Sequence, residues 1–451
     1  MDKEYLIHQN PMKALFIFSL PMIIGNLFQQ FYTMADSVIV GRFVSENALA
    51  AVGASYSLTS VFISIAIGGG VGASVITSRY FGARRYGEMK QSAYTALFSF
   101  LILSLTLGAL GLVFSRQIMQ LLNTPENILD MATEYLNIYF IGLPFLFLYN
   151  VLSAMFNALG KSRIPLYLLI FSSVFNIVLD LVFVCSFNLD VAGVAWATLI
   201  AQGISAVVSF FLFLRELSGY STSKQALFDF SELKTMTQIA LPSILQQSTV
   251  SIGMMLVQSV VNSFGVEVLA GFSAAMRVEG IVVVPMAALG NAMSTFTAQN
   301  IGAKQQNRVL NGYHACLKLV GMFAVLICVI LQLFHDSIIM MFLGSEGTQL
   351  ALQTGNNYLT FMGWFFGVIG IKMVTDGLLR GAGDMLMFTI ANLVNLTIRV
   401  SVALIFAPQF GVDMVWYAVP FGWAANFIVS YLEYRTGKWK ITGQRQSGTS
   451  A

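Results

Sequence analysis

Thr77-Ser-Arg-Tyr-Phe-Gly-Ala83 returns as Thr297-Ala-Gln-Asn-Ile-Gly-Ala303, 220 residues later. The same offset carries Leu49-Ala50 onto Leu269-Ala270, and Leu20-Pro21 reappears as Leu241-Pro242. A period this long is an internal duplication rather than a short repeat, so each half must build the same supersecondary unit. The copies differ in one respect that bears on function: Asp36 and Asp180 lie inside apolar stretches of the first half, and the second half has Val257 and Ala403 near the corresponding places.

Composition sets the solvent. Of 451 residues, 57% are hydrophobic and 10% are charged. A soluble domain carries roughly 25% charged residues. So apolar a chain is expected in a bilayer, where a helix needs about 20 apolar residues to cross. Twelve stretches qualify: 14–40, 48–75, 92–115, 132–157, 164–187, 191–214, 236–264, 269–298, 312–334, 352–378, 386–407 and 414–434. The predicted fold is an all-α polytopic membrane protein. Residues 1–214 form an N-terminal six-helix bundle, 215–235 a cytoplasmic linker, 236–440 a C-terminal six-helix bundle and 441–451 a disordered tail.

Eighteen of the 24 Lys and Arg residues fall at the two chain ends and in one alternate set of loops. The opposite loops hold Arg42 and Arg116 alone. By the positive-inside rule, both termini are expected in the cytoplasm. Six spans per half return the chain to its starting side, so the halves are expected to be parallel, related by a pseudo-twofold along the membrane normal. The net charge of +3 is too small to point to nucleic acid. Cys185, Cys316 and Cys328 are far apart, and no metal or redox spacing exists. No cofactor is expected. Nor is there a clustered His/Asp or repeated-Asp pattern of the kind an intramembrane enzyme would need, so no enzyme is expected.

Charged groups inside spans are costly and mark function. Asp36 and Asp180 are the first candidates. Asn176 is four residues before Asp180 and shares its helix face. Thr198 comes early in the sixth span. Counted from the span ends, these groups share one depth in the outer half of the first bundle, roughly 8–10 Å in at 1.5 Å per residue. Such oxygens can take up a proton or a hard cation. In the second half, Glu279 is deep enough to contact a substrate, and Arg399 stands where Asn176 stands in the first copy. Lys372 and Asp376 are four apart and can pair, with Asp376 near enough to the span end to reach the interface.

The ordered set Leu20-Pro21, Asp36-Ser-Val-Ile-Val-Gly41, Ala50-Ala-Val-Gly53, Gly82-Ala83, Ala158-Leu-Gly-Lys-Ser-Arg-Ile-Pro165, Asn176-Ile-Val-Leu-Asp180, Leu379-Arg-Gly-Ala-Gly-Asp384 and Gly437-Lys-Trp439 resembles the multidrug and toxic compound extrusion (MATE) transporters along nearly the whole chain. The resemblance implies two six-helix bundles in a V. It implies a secondary active efflux antiporter for small amphipathic or cationic organic compounds, driven by inward proton or sodium flow. The implied location is the plasma membrane, and the implied state a monomer. It matches Asp36, Asp180, Asn176, Thr198 and Tyr32 to a first-bundle proton or sodium site. Glu279 and Arg399, as charges inside second-half spans, are the candidates for the substrate cavity. The alternative is a lipid-linked precursor flippase of the same superfamily.

Overall fold

The computed structural model describes residues 4–187, 189–222, 226–344 and 347–440; the tail 441–451 lies outside them. All regular structure among the described residues is helical. A short α1 (Tyr5–His8) precedes α2 (Pro11–Ile39), α3 (Glu46–Gly82), α4 (Tyr86–Leu121), α5 (Glu126–Ala158), α6 (Arg163–Leu181) and α7 (Asp190–Ser218). The second copy contains α8 (Phe230–Asn262), α9 (Val266–Val282), α10 (Val284–Gly302), α11 (Gln306–Leu343), α12 (Gln349–Gly363), α13 (Phe366–Ala382), α14 (Met385–Phe410) and α15 (Asp413–Thr436). Local chemistry sets several boundaries. The Ser45 hydroxyl caps α3 by accepting from the Ala48 N–H at 3.0 Å, and Thr348 does the same for α12. Gly383 and Gly437 end α13 and α15 in the left-handed region that glycine enters at no steric cost.

Among the described residues, ten helices are long and apolar enough to cross a membrane, counting α9 with α10 as one, and the pair α12–α13, bent by 55°, makes an eleventh. The chain is therefore a multi-pass membrane protein. The remaining expected span coincides with α15, which is helical but carries Asp413, Asn426 and Glu433 and is not among the apolar set. On α4, Leu101, Ile102, Leu105 and Val113 are exposed, and Met322, Val325 and Leu326 are exposed on its repeat partner α11. Water would not tolerate such stripes; acyl chains do.

The helices sort into two compact units. One holds Ile24–Ile244; the other holds Met1–Ile23 with Leu245–Ala451. The division falls inside α2 and inside α8, two residues after Pro21 and Pro242 respectively. Within the second of these units, α10 and α13 touch backbone to backbone. A Cβ placed on Gly377 would lie 2.1 Å from the Gly290 carbonyl oxygen, and one on Gly381 would lie 2.3 Å from that of Ser294. Small residues permit this approach, which replaces hydrophobic driving force with dispersion inside a bilayer.

Between α13 and α14, Asp384 packs against Glu433, and burial together with that neighbouring carboxyl pushes Asp384 up to about 6. An acid held above its unfolded value contributes stability that is complete below that unfolded value and is lost as pH rises through about 6. Asp384→Asn is therefore expected to raise the melting temperature at pH 8 by a few degrees and to have little effect at pH 4. Melting curves of purified protein at the two pH values check this.

Candidate ion site in the first repeat

Three helices of one unit place the five residues. Tyr32 and Asp36 are one turn apart on α2, Asn176 and Asp180 one turn apart on α6, and Thr198 is two turns into α7. The Tyr32 hydroxyl donates to Asn176 Oδ1. The Asn176 amide nitrogen reaches Thr198 Oγ1 at 3.4 Å, and that hydroxyl donates to the Val194 carbonyl at 3.1 Å. Asp180 is fully buried, Asn176 nearly so, and Asp36 half-buried. The two carboxyl groups come within side-chain hydrogen-bonding reach of each other. One oxygen on each, Oδ1 of Asp36 and Oδ1 of Asp180, is buried without a hydrogen-bond partner.

Two carboxylates in contact repel unless a proton or a cation sits between them. The pair is thus chemically suited to hold either. The Asn176 amide is better satisfied in the orientation opposite to that in which its nitrogen reaches Thr198 Oγ1. Turned over, its nitrogen donates to Asp180 Oδ2 at 3.1 Å and its oxygen faces the Thr198 backbone N–H at 3.0 Å. An ionised Asp180 favours that orientation, because a carboxylate only accepts. A protonated Asp180 can donate, and then the oxygen of Asn176 is the better partner.

Two features of the site escaped the sequence reading. Tyr135 of α5 lies close to Tyr32 and to both acids. No periodicity singles it out from the other tyrosines. Also, α2 and α6 both continue into a wider π turn just beyond their acids, at Val40–Val44 and Val182–Ser186. Neither α8 nor α14, their counterparts, does so. Wider turns of this kind accompany functional positions because they cost helical hydrogen-bond geometry.

The second copy is built differently. Val257 and Ala403 are buried and apolar. Glu279, on α9, is buried and accepts from the Tyr358 hydroxyl of α12. Arg399 of α14 interacts with Glu279 through charge, while its Nε is buried with no hydrogen-bond partner. Tyr358 and Trp416 stack edge to face beside them, with ring centres 5.6 Å apart. Glu279 and Arg399 are therefore neighbours within one unit. Asp376 of α13 makes the pair with Lys372 that their spacing of four allowed, at 3.2 Å. It is buried, and accepts from Ser430 at 2.7 Å and from Asn392 at 3.3 Å. A closed, satisfied network of this kind serves structure. Among the described residues, no group of three or more His, Cys, Asp or Glu side chains is placed to hold a metal ion.

Comparison with known proteins agrees with this architecture. A family model described as MatE matches twice, over 21–182 and 242–405, which begins each copy at its Leu-Pro proline. A probable multidrug resistance protein of Bacillus subtilis (strain 168), YpnP, is 31% identical over 435 residues, covering 96% of each chain. An FAD transporter of Shewanella oneidensis is 25% identical over 381 residues, 83% of each chain. The crystal structure of a MATE in complex with MaL6 superposes with a TM-score of 0.91 at 25% identity, covering 98% of this chain and all of that one. With the model matched in both copies and a relative above 30% identity along nearly the whole length, the chain belongs to the MatE family of membrane transporters.

Proposed function

We propose that the protein is an antiporter that exports small amphipathic or cationic organic compounds while a proton or sodium ion enters and binds at Asp36 and Asp180. The single observation that carries this reading is the acid pair in contact, ringed by Tyr32, Asn176 and Thr198 in one copy and absent from its duplicate. If the acids served the shared fold, both copies would need them. The relatives' descriptions as multidrug resistance proteins support the substrate class. In this reading residues 1–214 and 236–440 are two parallel six-helix bundles with twelve spans, the linker 215–235 and both termini are cytoplasmic, and the membrane is the plasma membrane. At 100 mV, one inward charge supplies about 2.3 kcal/mol per cycle.

Occupation of the site changes the charge between α2 and α6, and the substrate's exit follows from the different packing each charge state favours. Glu279 and Arg399 are the proposed polar contacts for substrate in the second copy. The test is export of a fluorescent organic cation from vesicles under an imposed pH gradient, then under a sodium gradient. Export that ignores both gradients would reject antiport.

The same assay separates the ions. A hard cation needs several oxygen ligands at fixed distances, whereas a proton needs only a suitable carboxyl group. If sodium is coupled, Asn176→Ala and Thr198→Val should weaken the sodium dependence by roughly 10-fold or more, as loss of a supporting ligand does. If protons are coupled, the two variants should mainly displace the pH profile of export. Rates measured against sodium concentration and against pH decide between the two outcomes. Unchanged profiles on both axes would remove Asn176 and Thr198 from the site.

A further inference from the structure

We infer that the first repeat contains a hydrated proton route between α5 and α7, leading from the acid pair toward the cytoplasmic end. This rests on the antiport reading and specifies how the coupling ion leaves. The route begins at a small cavity of about 20 Å³ walled by Thr198 and Gln202 of α7 and by Tyr135 and Tyr139 of α5. That is enough space for roughly one water molecule, and four polar side chains can hold it. Thr198 belongs both to the cavity and to the site, through its contact with Asn176.

Beyond the cavity, α7 continues with polar residues on one face. Thr198, Gln202, Ser205 and Ser209 follow at intervals of four, three and four, which keeps them in line along a helix. They cover roughly 16 Å along the axis. Ser205 and Ser209 are fully buried, and neither Oγ has a hydrogen-bond partner. Ser55, Ser64 and Ser243 meet this need locally, each donating to the carbonyl one turn back, whereas Ser153, like Ser205 and Ser209, does not. A buried hydroxyl left without a partner costs about 1–3 kcal/mol. Two such groups in one line, continuing from a water-sized cavity, are satisfied if water extends along the face.

The duplicate again acts as a control. At the offset of 223 that carries Asn176 onto Arg399 and the start of α7 onto that of α15, Thr198, Gln202, Ser205 and Ser209 become Phe421, Ala425, Ile428 and Leu432. The buried polar residues of α15, Asn426, Ser430 and Glu433, fall at other positions, so the second copy does not repeat this line. The line in the first copy is also closed at its far end. Phe156 of α5 and Phe213 of α7, both fully buried, meet edge to face with ring centres 5.4 Å apart. Lys161 pairs with Glu216 just beyond them. A proton path that stays open would dissipate the gradient, so coupling requires such a plug.

The chemistry balances without any other reactant. The O–H bond of the protonated acid breaks and its proton passes to the cavity water. Each later hydroxyl or water accepts one proton and donates another. One proton leaves at the cytoplasmic end, the acid is left as a carboxylate, and no side chain is consumed.

The test uses the full chain in proteoliposomes, with a pH-sensitive dye reporting proton movement and a fluorescent organic cation reporting export. Val and Thr have the same size and differ by a hydroxyl, so Ser205→Val and Ser209→Val are compared with Ser205→Thr and Ser209→Thr. The Val variants are expected to slow pH-driven export about 10-fold or more, at the low end of what a positioned proton-transfer group contributes, while the Thr variants keep most of it. Phe213→Ala is expected to let protons through without substrate. Equal rates for the Val and Thr members of each pair, both fast or both slow, would overturn the route. So would sodium-driven export with no proton movement. If those pairs are equal while Asp180→Asn has lost export, the route fails and the acid site stands. If Asp180→Asn exports at the wild-type rate, the antiport reading itself fails, and the route with it.

Discussion

Asp180→Asn is expected to reduce gradient-driven export to background, and Asp36→Asn to do the same, while both proteins still reach the membrane and bind substrate. The amide has the size of the acid and keeps a hydrogen bond to Asn176, so packing around position 180 changes little. What it loses is the ability to change charge. A transporter that cannot alternate the charge between α2 and α6 cannot tie its conformational equilibrium to the ion gradient, because a ligand shifts an equilibrium only by its differential affinity for the two states. The control is Val257→Ala, near the place in α8 that Asp36 occupies in α2. It removes a little apolar surface and is expected to be mild. Initial export rates, normalised to protein in the membrane, provide the comparison. Full export by both Asn variants would remove the first-copy acids from the coupling mechanism.

Gly377→Leu is expected to abolish recovery of folded protein. The obstruction is the Gly290 carbonyl oxygen, 2.1 Å from where a Cβ would stand, and backbone does not move aside as a side chain can. The helices α10 and α13 would have to separate along their whole contact, losing the close approach that holds them in a bilayer. Gly377→Ala meets the same oxygen and should lower the melting temperature strongly. A matched pair of substitutions isolates the cause. Gly321 of α11 has nothing within 4 Å of its Cβ position, and for Gly367 of α13 the nearest atom is the Ala324 Cβ at 3.5 Å. Alanine at either is expected to be tolerated or to stabilise by up to about 1 kcal/mol, the helix-propensity gain over glycine. Melting curves and size-exclusion profiles of the detergent-solubilised variants check the series. Equal loss at Gly377 and Gly321 would show that helix contact is not the reason.

The duplication and the helical course of the chain were legible because both are long-range regularities: an offset of 220 and apolar runs of membrane length. The acid pair was legible because a charge inside an apolar run is costly wherever the helix turns. Breaks within spans were not visible. The span at 269–298 is interrupted at Val283, where Pro285 opens α10, and that at 352–378 bends by 55° around Trp364 and Phe365. Average apolarity across a window is indifferent to such breaks. The π turns after Asp36 and Asp180 left no mark in composition. Tyr135, Ser205 and Ser209 were missed for another reason. A tyrosine or serine on a helix is ordinary, and only the packing of α5 against α7 decides which hydroxyls find partners. The pairing of Lys372 with Asp376 was legible from their spacing of four, whereas the Ser430 hydroxyl that also holds Asp376 comes from α15 and depends on packing.

The most direct test of the central claim is the ion flux that substrate evokes. Proteoliposomes containing the full chain are loaded with indicators for protons and sodium, and an organic cation is added on one side with no imposed gradient. Wild-type protein is predicted to move protons or sodium opposite to the substrate, with the flux rising with substrate concentration and disappearing in Asp180→Asn. Substrate movement with no opposing flux of either ion, or an undiminished flux in Asp180→Asn, would contradict the assignment of the coupling site to the first-repeat acids.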